Sequence, residues 1–304
     1  MSVQTHHVPI VAAAMLAASG GSGSGQTLSP GGTPPQPPQS AAVMRIQPRY
    51  LRLYTDPGVE LAEENYRHAT LDWKMPLREA ALISIDVWNY HYSRDTLERI
   101  EEITREKIAP FLAACRAHGL QVIHTPAGPV AQKHPNFIRM RPEEARPQVP
   151  WPDSPRWPPA DFAWKSGAYA QYARPHEPWD EARVKHRTTQ RDFHELARPV
   201  GNEPVILDGE DLHRYCAERG ILHLFFIGFN TNACIIGRDY GVRAMGGRGY
   251  HIILVRDATT GMETAETVKD LTCTKGTIAT FEQFTGYTVT TAELIQALRD
   301  SARP

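Results

Sequence analysis

The chain has 304 residues, of which 41% are hydrophobic and 22% charged, a composition that is ordinary for a globular protein. Its 33 Lys and Arg residues nearly balance its 34 Asp and Glu residues, so no electrostatic attraction to nucleic acid or to an anionic membrane is expected. The four cysteines form no CxxC pair and no zinc-binding spacing. Free thiols suit a reducing compartment, which favours a cytoplasmic protein.

Residues 1–43 are predicted to lie outside the fold. An apolar run at 8–19 has the length of the hydrophobic part of a signal peptide, but no Lys or Arg precedes it. The Gly/Ser and Pro/Gln tract that follows is too poor in apolar residues to order itself. Two interpretations stay open: an export signal with a linker, or a disordered tail upstream of a start at Met44. The run is too short to span a membrane.

From about residue 78 the sequence alternates between strand-like and helix-like segments. We predict strands at 81–86, 120–125, 221–227, 250–255 and 277–281, and helices at 95–118, 209–219, 232–245, 262–273 and 290–299. This alternation predicts a three-layer α-β-α fold with a parallel sheet of about six strands, including a short one that ends at Lys185. Ligands of such folds bind at the carboxyl ends of the strands. The chain therefore divides into the tail, a 44–77 extension whose packing is undecided, and one domain over 78–304.

The stretch 126–180 is rich in Pro and Trp and shows little periodicity. It is much longer than an ordinary connection, so we predict a functional excursion close to a site. Its aromatic residues, among them Trp164, are candidates for a lid or a pocket wall. Packing over the sheet edge or over a partner subunit is the alternative interpretation.

Three polar residues fall at or near predicted strand ends: Asp86, Lys185 and Cys234. A Cys at a helix start meets unpaired backbone N–H groups and the positive end of the helix dipole, which favour the thiolate. A nearby ammonium would lower the thiol pKa further, and a carboxylate could move the proton. Each residue also has a structural interpretation, as a small core thiol, a turn residue and a solvated lysine.

The segment GFNTNACIIGRDYGVRAM resembles the nucleophile segment of the isochorismatase-like cysteine hydrolases. In that family a Gly–x–x–Thr–x–x–Cys run joins a strand to a helix, and here it corresponds to Gly228, Thr231 and Cys234. ALISIDVWN resembles the family's first strand, whose terminal Asp is the general acid/base and matches Asp86. GYHIILVRDAT and the C-terminal segments follow in the family's order, so the resemblance covers roughly residues 78–300.

The resemblance implies a mechanism in which Asp86 deprotonates Cys234 and the thiolate attacks a carbonyl. It implies that the backbone amides of Asn230 and Cys234 hold the oxyanion, with a cis peptide bond between Phe229 and Asn230. Donors of this kind stabilise a transition state by about 2.7–4 kcal/mol.

The family also has a lysine that stabilises the thiolate. Lys185 is the only Lys between residues 166 and 268 and is the expected match, with Lys165 as its rival.

Metal-dependent relatives carry an Asp-x-His signature after the second strand, whereas the corresponding stretch here, HTPAGPVAQKHPN, lacks that Asp. His124 and His134 remain, and packed or solvated histidines are the favoured interpretation. We therefore expect no catalytic metal, no other cofactor, and a substrate other than nicotinamide.

The substrate is expected to be a small molecule. Trp88 and Asn89, which follow Asp86, are predicted to line its pocket. Arg238, one helical turn after Cys234, is predicted to bind a substrate carboxylate, with a surface ion pair as the alternative.

The resulting hypothesis is a cysteine hydrolase that cleaves an amide, ureido or carbamoyl C–N bond through an acyl-Cys intermediate. A vinyl-ether hydrolase of the isochorismatase type and a catalytically inactive binding or scaffold protein are the alternatives. The resemblance implies a homo-oligomer, a dimer or a tetramer. No nucleic-acid or membrane partner is expected.

Overall fold

The computed structural model describes residues 42–140, 157–175, 181, 185 and 189–301. The expectations for residues 1–41 and for part of the 126–180 excursion lie outside these described residues. The described strands are β1 (Val43–Ile46), β2 (Arg49–Arg52), β3 (Arg67–Thr70), β4 (Trp73–Pro76), β5 (Ala80–Ile85), β6 (Gln121–Thr125), β7 (His223–Phe229), β8 (His251–Thr260) and β9 (Tyr287–Val289).

The described α-helices of six or more residues are Arg94–Ile103, Ala109–His118, Gly209–Arg219, Val242–Gly247, Thr272–Phe284 and Thr291–Ser301. Other helical turns and short helical segments are formed by Glu63–Asn65, Leu77–Glu79, Thr104–Ile108, Gly128–Ala131, Ala160–Ala163, Gly167–Tyr172, Glu195–Ala197 and Thr231–Ile235. The turn Thr104–Ile108 joins the first two long helices into one helical segment.

A seven-stranded sheet in the order β3-β2-β9-β8-β7-β5-β6 forms the centre of the fold. The five strands from β9 to β6 are parallel, and hydrophobic side chains pack on both faces. On β5, Leu82 belongs to the cluster that contains Phe111, and the next residue, Ile83, belongs to the cluster that contains Leu212. Because successive strand side chains point to opposite faces, the sheet is covered on both sides. The predicted three-layer α/β fold is confirmed.

The N-terminal extension packs on its own chain. Strand β2 pairs antiparallel with β9 and with β3, so it widens the sheet. Strands β1 and β4 pair separately, and Met44 and Met75 are buried in the hydrophobic core. Within the described part of the chain, no helix is both long and apolar enough to cross a membrane.

Four local predictions are wrong. The predicted helix 262–273 is irregular and turn-like up to residue 271, and the helix of this region begins only at Thr272. Residues 277–281 are helical, within Thr272–Phe284, because Phe281 and neighbouring side chains pack on the core at helical spacing and override the strand preference of β-branched residues. The predicted helix 232–245 is interrupted by a turn before Val242–Gly247. Lys185 is helical and exposed, so it does not end a strand.

Candidate active site

The candidate site forms where β5 and β7, neighbouring parallel strands, reach their carboxyl ends. Ile85 pairs with Gly228, whose φ of 115° is unfavourable for any residue with a side chain. A Cβ at Gly228 would overlap the Ile85 carbonyl group. Glycine therefore lets the two strands approach closely. This approach brings Asp86, which follows β5, to the segment that follows β7.

Asp86 is fully buried and has a φ of 50°, in the left-handed region. Asp tolerates this conformation better than most residues, but it still costs of the order of 1–2 kcal/mol. Oδ2 of Asp86 accepts a hydrogen bond of 3.3 Å from Nη2 of Arg238. Oδ1 is buried and has no hydrogen-bond partner of ordinary geometry among the described residues. Burial raises the pKa of Asp86, and Arg238, Cys234 and the Ala127 amide partly offset that rise.

Cys234 lies in the helical turn Thr231–Ile235, directly after β7, and its thiol is beside the Asp86 carboxyl group. Burial and the Asp86 charge raise the thiol pKa to about 11, and Arg238 opposes this rise. Burial and the Asp86 charge thus oppose the thiolate that the helix start was expected to favour. The resting nucleophile is a neutral thiol, and a base must remove its proton.

Hydrogen bonds to the end of β8 and to the residues after it hold the nucleophile turn in place. The buried hydroxyls of Thr231 and Thr259 are 2.6 Å apart. Nδ2 of Asn232 donates to the Met262 carbonyl at 2.8 Å, and the Met262 amide donates back to Oδ1 of Asn232 at 2.9 Å. The preceding peptide bond, Phe229–Asn230, is cis. Side-chain hydrogen bonds thus fix the nucleophile turn to β8 and to the segment that follows β8.

A cation contacts Asp86, and it belongs to Arg238 rather than to either lysine expected from the sequence. Lys185 is exposed on a helical segment, where its carbonyl accepts a hydrogen bond of 2.8 Å from Thr189. The ammonium of Lys165 lies 3.6 Å from the centre of the Phe162 ring and donates to the Phe162 carbonyl. Arg238 was expected to bind a substrate carboxylate, but its guanidinium is paired with Asp86.

A cavity of about 180 Å³ opens in front of the nucleophile. It is lined by Trp88, Tyr90, His91, Tyr92, Arg191, Asn230, Ala233, Cys234 and Met262. The Arg191 guanidinium lies over the ring of Trp88 at 5.2 Å, and His91 stacks on Tyr92 with ring centres 4.4 Å apart. The wall therefore combines flat aromatic faces with one guanidinium. Of these residues, sequence reasoning identified Trp88, Asn230 and Cys234.

Two residues predicted to line the pocket are elsewhere. Asn89 is exposed, and it exchanges hydrogen bonds with Asp192 and donates to the Gln190 carbonyl. It therefore anchors the segment that carries Arg191. Trp164 is 83% exposed and is not part of the cavity wall.

The two histidines that remain of a metal signature are packed with Phe193, which both rings approach edge-on. His124 is completely buried, and its Nε2 lies 2.9 Å from Glu203. Glu203 also accepts a 2.7 Å hydrogen bond from Arg116. Burial raises the pKa of Glu203, but hydrogen bonds from these two partners and from the Val200 amide outweigh it and hold the pKa at about 2. His124 thus completes a structural ion network.

Comparison with known proteins identifies the family of the chain. The sequence model of the Isochorismatase domain matches residues 80–293. A cysteine hydrolase from Pseudomonas syringae pv. phaseolicola 1448A is 18% identical, with a TM-score of 0.43, and the match covers 75% of this chain and 96% of that one. An isochorismatase from Pseudomonas putida KT2440 is 19% identical over 72% of this chain and 91% of its own, with a TM-score of 0.42.

N-carbamoylsarcosine amidase from Thermoplasma acidophilum is 14% identical, and the match covers 70% of this chain and 96% of that one, with a TM-score of 0.36. No curated protein sequence matches the chain.

Proposed function

The chain belongs to the isochorismatase family of hydrolases, and we propose that it is a cysteine hydrolase of a small amide, ureido or carbamoyl compound. One observation supports the proposal above the others. A thiol that lines a cavity, Cys234, lies beside a buried carboxyl group, Asp86, at the ends of neighbouring parallel strands. This arrangement pairs a nucleophile with a general base at the edge where such folds bind ligands.

The proposed reaction starts with proton transfer from the Cys234 thiol to the Asp86 carboxylate. A thiol with a pKa of about 11 resists this transfer, but burial raises the pKa of Asp86 and so reduces the difference. The thiolate then attacks the substrate carbonyl and forms a C–S bond. The negative charge on oxygen is stabilised by the backbone amides of Asn230 and Cys234.

The tetrahedral intermediate breaks at its C–N bond, and Asp86 protonates the departing nitrogen. A free amine or ammonia leaves, and an acyl group remains on the sulfur of Cys234. Water then attacks this thioester while Asp86 accepts a proton from it. The C–S bond breaks, the acid product leaves and the Cys234 thiol is restored with the proton that Asp86 returns.

The cavity supports a small substrate. A volume of about 180 Å³ is below the usual range of roughly 300–1,000 Å³ for drug-sized ligands. The flat face of Trp88 and the stacked rings of His91 and Tyr92 favour a planar group such as a conjugated amide or a ureido group. The Arg191 guanidinium favours an anionic substituent on it.

A vinyl-ether hydrolase can operate with the carboxyl group alone and is the alternative within the fold. Comparing wild type with Cys234→Ser on small amides, ureas, carbamoyl acids and a vinyl ether separates the two activities. We expect amine or ammonia release by wild type and a decrease of at least about 10³-fold in Cys234→Ser, as for other nucleophiles.

Cys273→Ser is the matched control, because this partly buried thiol contacts Thr267 rather than the cavity. Unchanged amide hydrolysis in Cys234→Ser would overturn the proposal. Vinyl-ether cleavage that is unaffected in that variant, without amide hydrolysis, would favour the alternative.

A further inference from the structure

We propose that Arg238 is a positioning residue that supplies the permanent positive charge of the Asp86–Cys234 pair, in the place where a lysine from another segment was expected. The inference rests on the proposed function, because it assigns a role within the same reaction. It concerns the charge on the thiol and the carboxyl group, however, which can be measured without any substrate.

The geometry links Arg238 to both members of the pair. Its Nη2 donates to Oδ2 of Asp86 at 3.3 Å, and its backbone amide donates to the Cys234 carbonyl at 3.2 Å. The nucleophile and the cation thus lie four residues apart on one segment, while the carboxyl group is presented from the end of β5.

The charge of Arg238 is fixed under all working conditions. Burial opposes it, but the Asp86 carboxylate, Tyr240 and Cys234 raise the guanidinium pKa above its ordinary value. Tyr240 also faces the pair, and burial and Asp86 raise its pKa, so it stays neutral. Asp239, the adjacent carboxylate, accepts the Gly209 amide at 2.9 Å. Arg238 therefore cannot exchange protons with the pair and acts through its charge alone.

That charge has a defined effect on proton transfer. In the resting site the negative charge is on Asp86, and after transfer it is on the sulfur of Cys234. A cation that contacts the carboxyl group and lies near the thiol stabilises both forms, so the site carries one negative charge in a buried place throughout. Without the cation, Asp86 would take up a proton from water and the base would be lost.

Peptide-resolved alkylation of Cys234 by iodoacetamide, measured by mass spectrometry between pH 6 and 10, tests this role. The informative pair is Arg238→Lys against Arg238→Met, because the two side chains have similar length and differ in charge. Iodoacetamide should therefore have similar access to the thiol in both variants. Lys185→Met removes the lysine expected from the sequence, and Arg243→Met removes an exposed arginine close in the chain.

We expect Arg238→Met to alkylate about tenfold more slowly than Arg238→Lys at pH 8, since an opposite charge close to a titrating group shifts its pKa by at least about one unit. Lys185→Met and Arg243→Met should match wild type. Equal alkylation rates of Cys234 in Arg238→Lys and Arg238→Met would overturn the proposal. A decrease in the alkylation rate confined to Lys185→Met would also overturn it. Since alkylation needs no turnover, these outcomes stand whether or not the chain hydrolyses an amide.

Discussion

Nη2 of Arg238 lies 3.3 Å from Oδ2 of Asp86, although 152 positions separate the two residues in the chain. The carboxyl group is fully buried, while the arginine side chain is 39% exposed. Buried ion pairs often add little net stability, because desolvation of the charges offsets their attraction. This pair is thus better explained by the chemistry of the neighbouring thiol than by a contribution to folding.

Asp86→Asn should abolish hydrolysis while the protein stays folded. The amide cannot accept the thiol proton, but Asn tolerates the left-handed backbone conformation as well as Asp does. We expect kcat to fall by at least about 10³-fold, and the melting temperature to stay close to that of wild type. Steady-state kinetics and thermal unfolding by circular dichroism give the two values. Retained activity in the variant would show that another group is the base.

The pH dependence of kcat/KM should follow the one proton shared by Asp86 and Cys234. Activity is lost at low pH when Asp86 is protonated, and burial raises that pKa above the ordinary value of 3.8. Activity falls at high pH only when the pair loses its proton, near the thiol pKa of about 11. A stopped assay of kcat/KM over pH 4–11 should show an acid limb with a midpoint above pH 3.8. The value of kcat/KM should not decline up to pH 9. An alkaline limb near pH 7 would contradict the assignment.

Gly228→Ala should be far more destabilising than Gly220→Ala. Both glycines have positive φ, so each alanine costs about 1–2 kcal/mol of backbone strain. At Gly220 a Cβ meets no atom within 4 Å, whereas at Gly228 it overlaps the Ile85 carbonyl. We expect urea unfolding to show an additional loss of about 2 kcal/mol or more at Gly228, or failure to fold. Equal losses would show that the strand contact is not required.

The sequence predicted β5, β6, β7 and the positions of Asp86 and Cys234 because short apolar runs ending in polar residues are local signals. Arg238 was recognised as a neighbour of Cys234 from helical spacing alone. That its guanidinium turns to Asp86 depends on how β5 meets the nucleophile turn, which no local pattern contains. Lys185 was chosen by its order in the chain, and order does not fix where a side chain points.

The cavity wall was the least predictable part. Arg191 and Met262 are distant in sequence from Cys234 and reach the cavity through long-range hydrogen bonds of their segments. The helix Thr272–Phe284 was missed for a related reason. Its β-branched residues suggest a strand, and only packing against the sheet decides for a helix.

Glu203→Gln should lower stability at neutral pH by about 2 kcal/mol, because hydrogen bonds from Arg116 and His124 to a charged acceptor are lost or weakened. The folded pKa of about 2 is below the ordinary value of 4.5, so this contribution is present above pH 4.5 and disappears as pH falls toward 2. Urea unfolding at pH 7 measures the loss of stability, and urea unfolding at pH 3 shows whether that loss becomes smaller at low pH.

Glu218→Gln is the matched control, since this exposed carboxylate meets Arg219 only at 3.7 Å. If Glu203→Gln lowered the free energy of unfolding as little as the control does, the assignment would be contradicted. A decrease that is larger at pH 3 than at pH 7 would also contradict it.

The central claim is that Cys234 becomes acylated. Acid quenching of wild type during turnover of a substrate found in the amide and carbamoyl screen, followed by peptide mass spectrometry, measures this directly. We predict the mass of the acyl group on the peptide that contains Cys234, and its absence in Asp86→Asn. Turnover with no adduct on Cys234, or an adduct on another residue, would contradict the account.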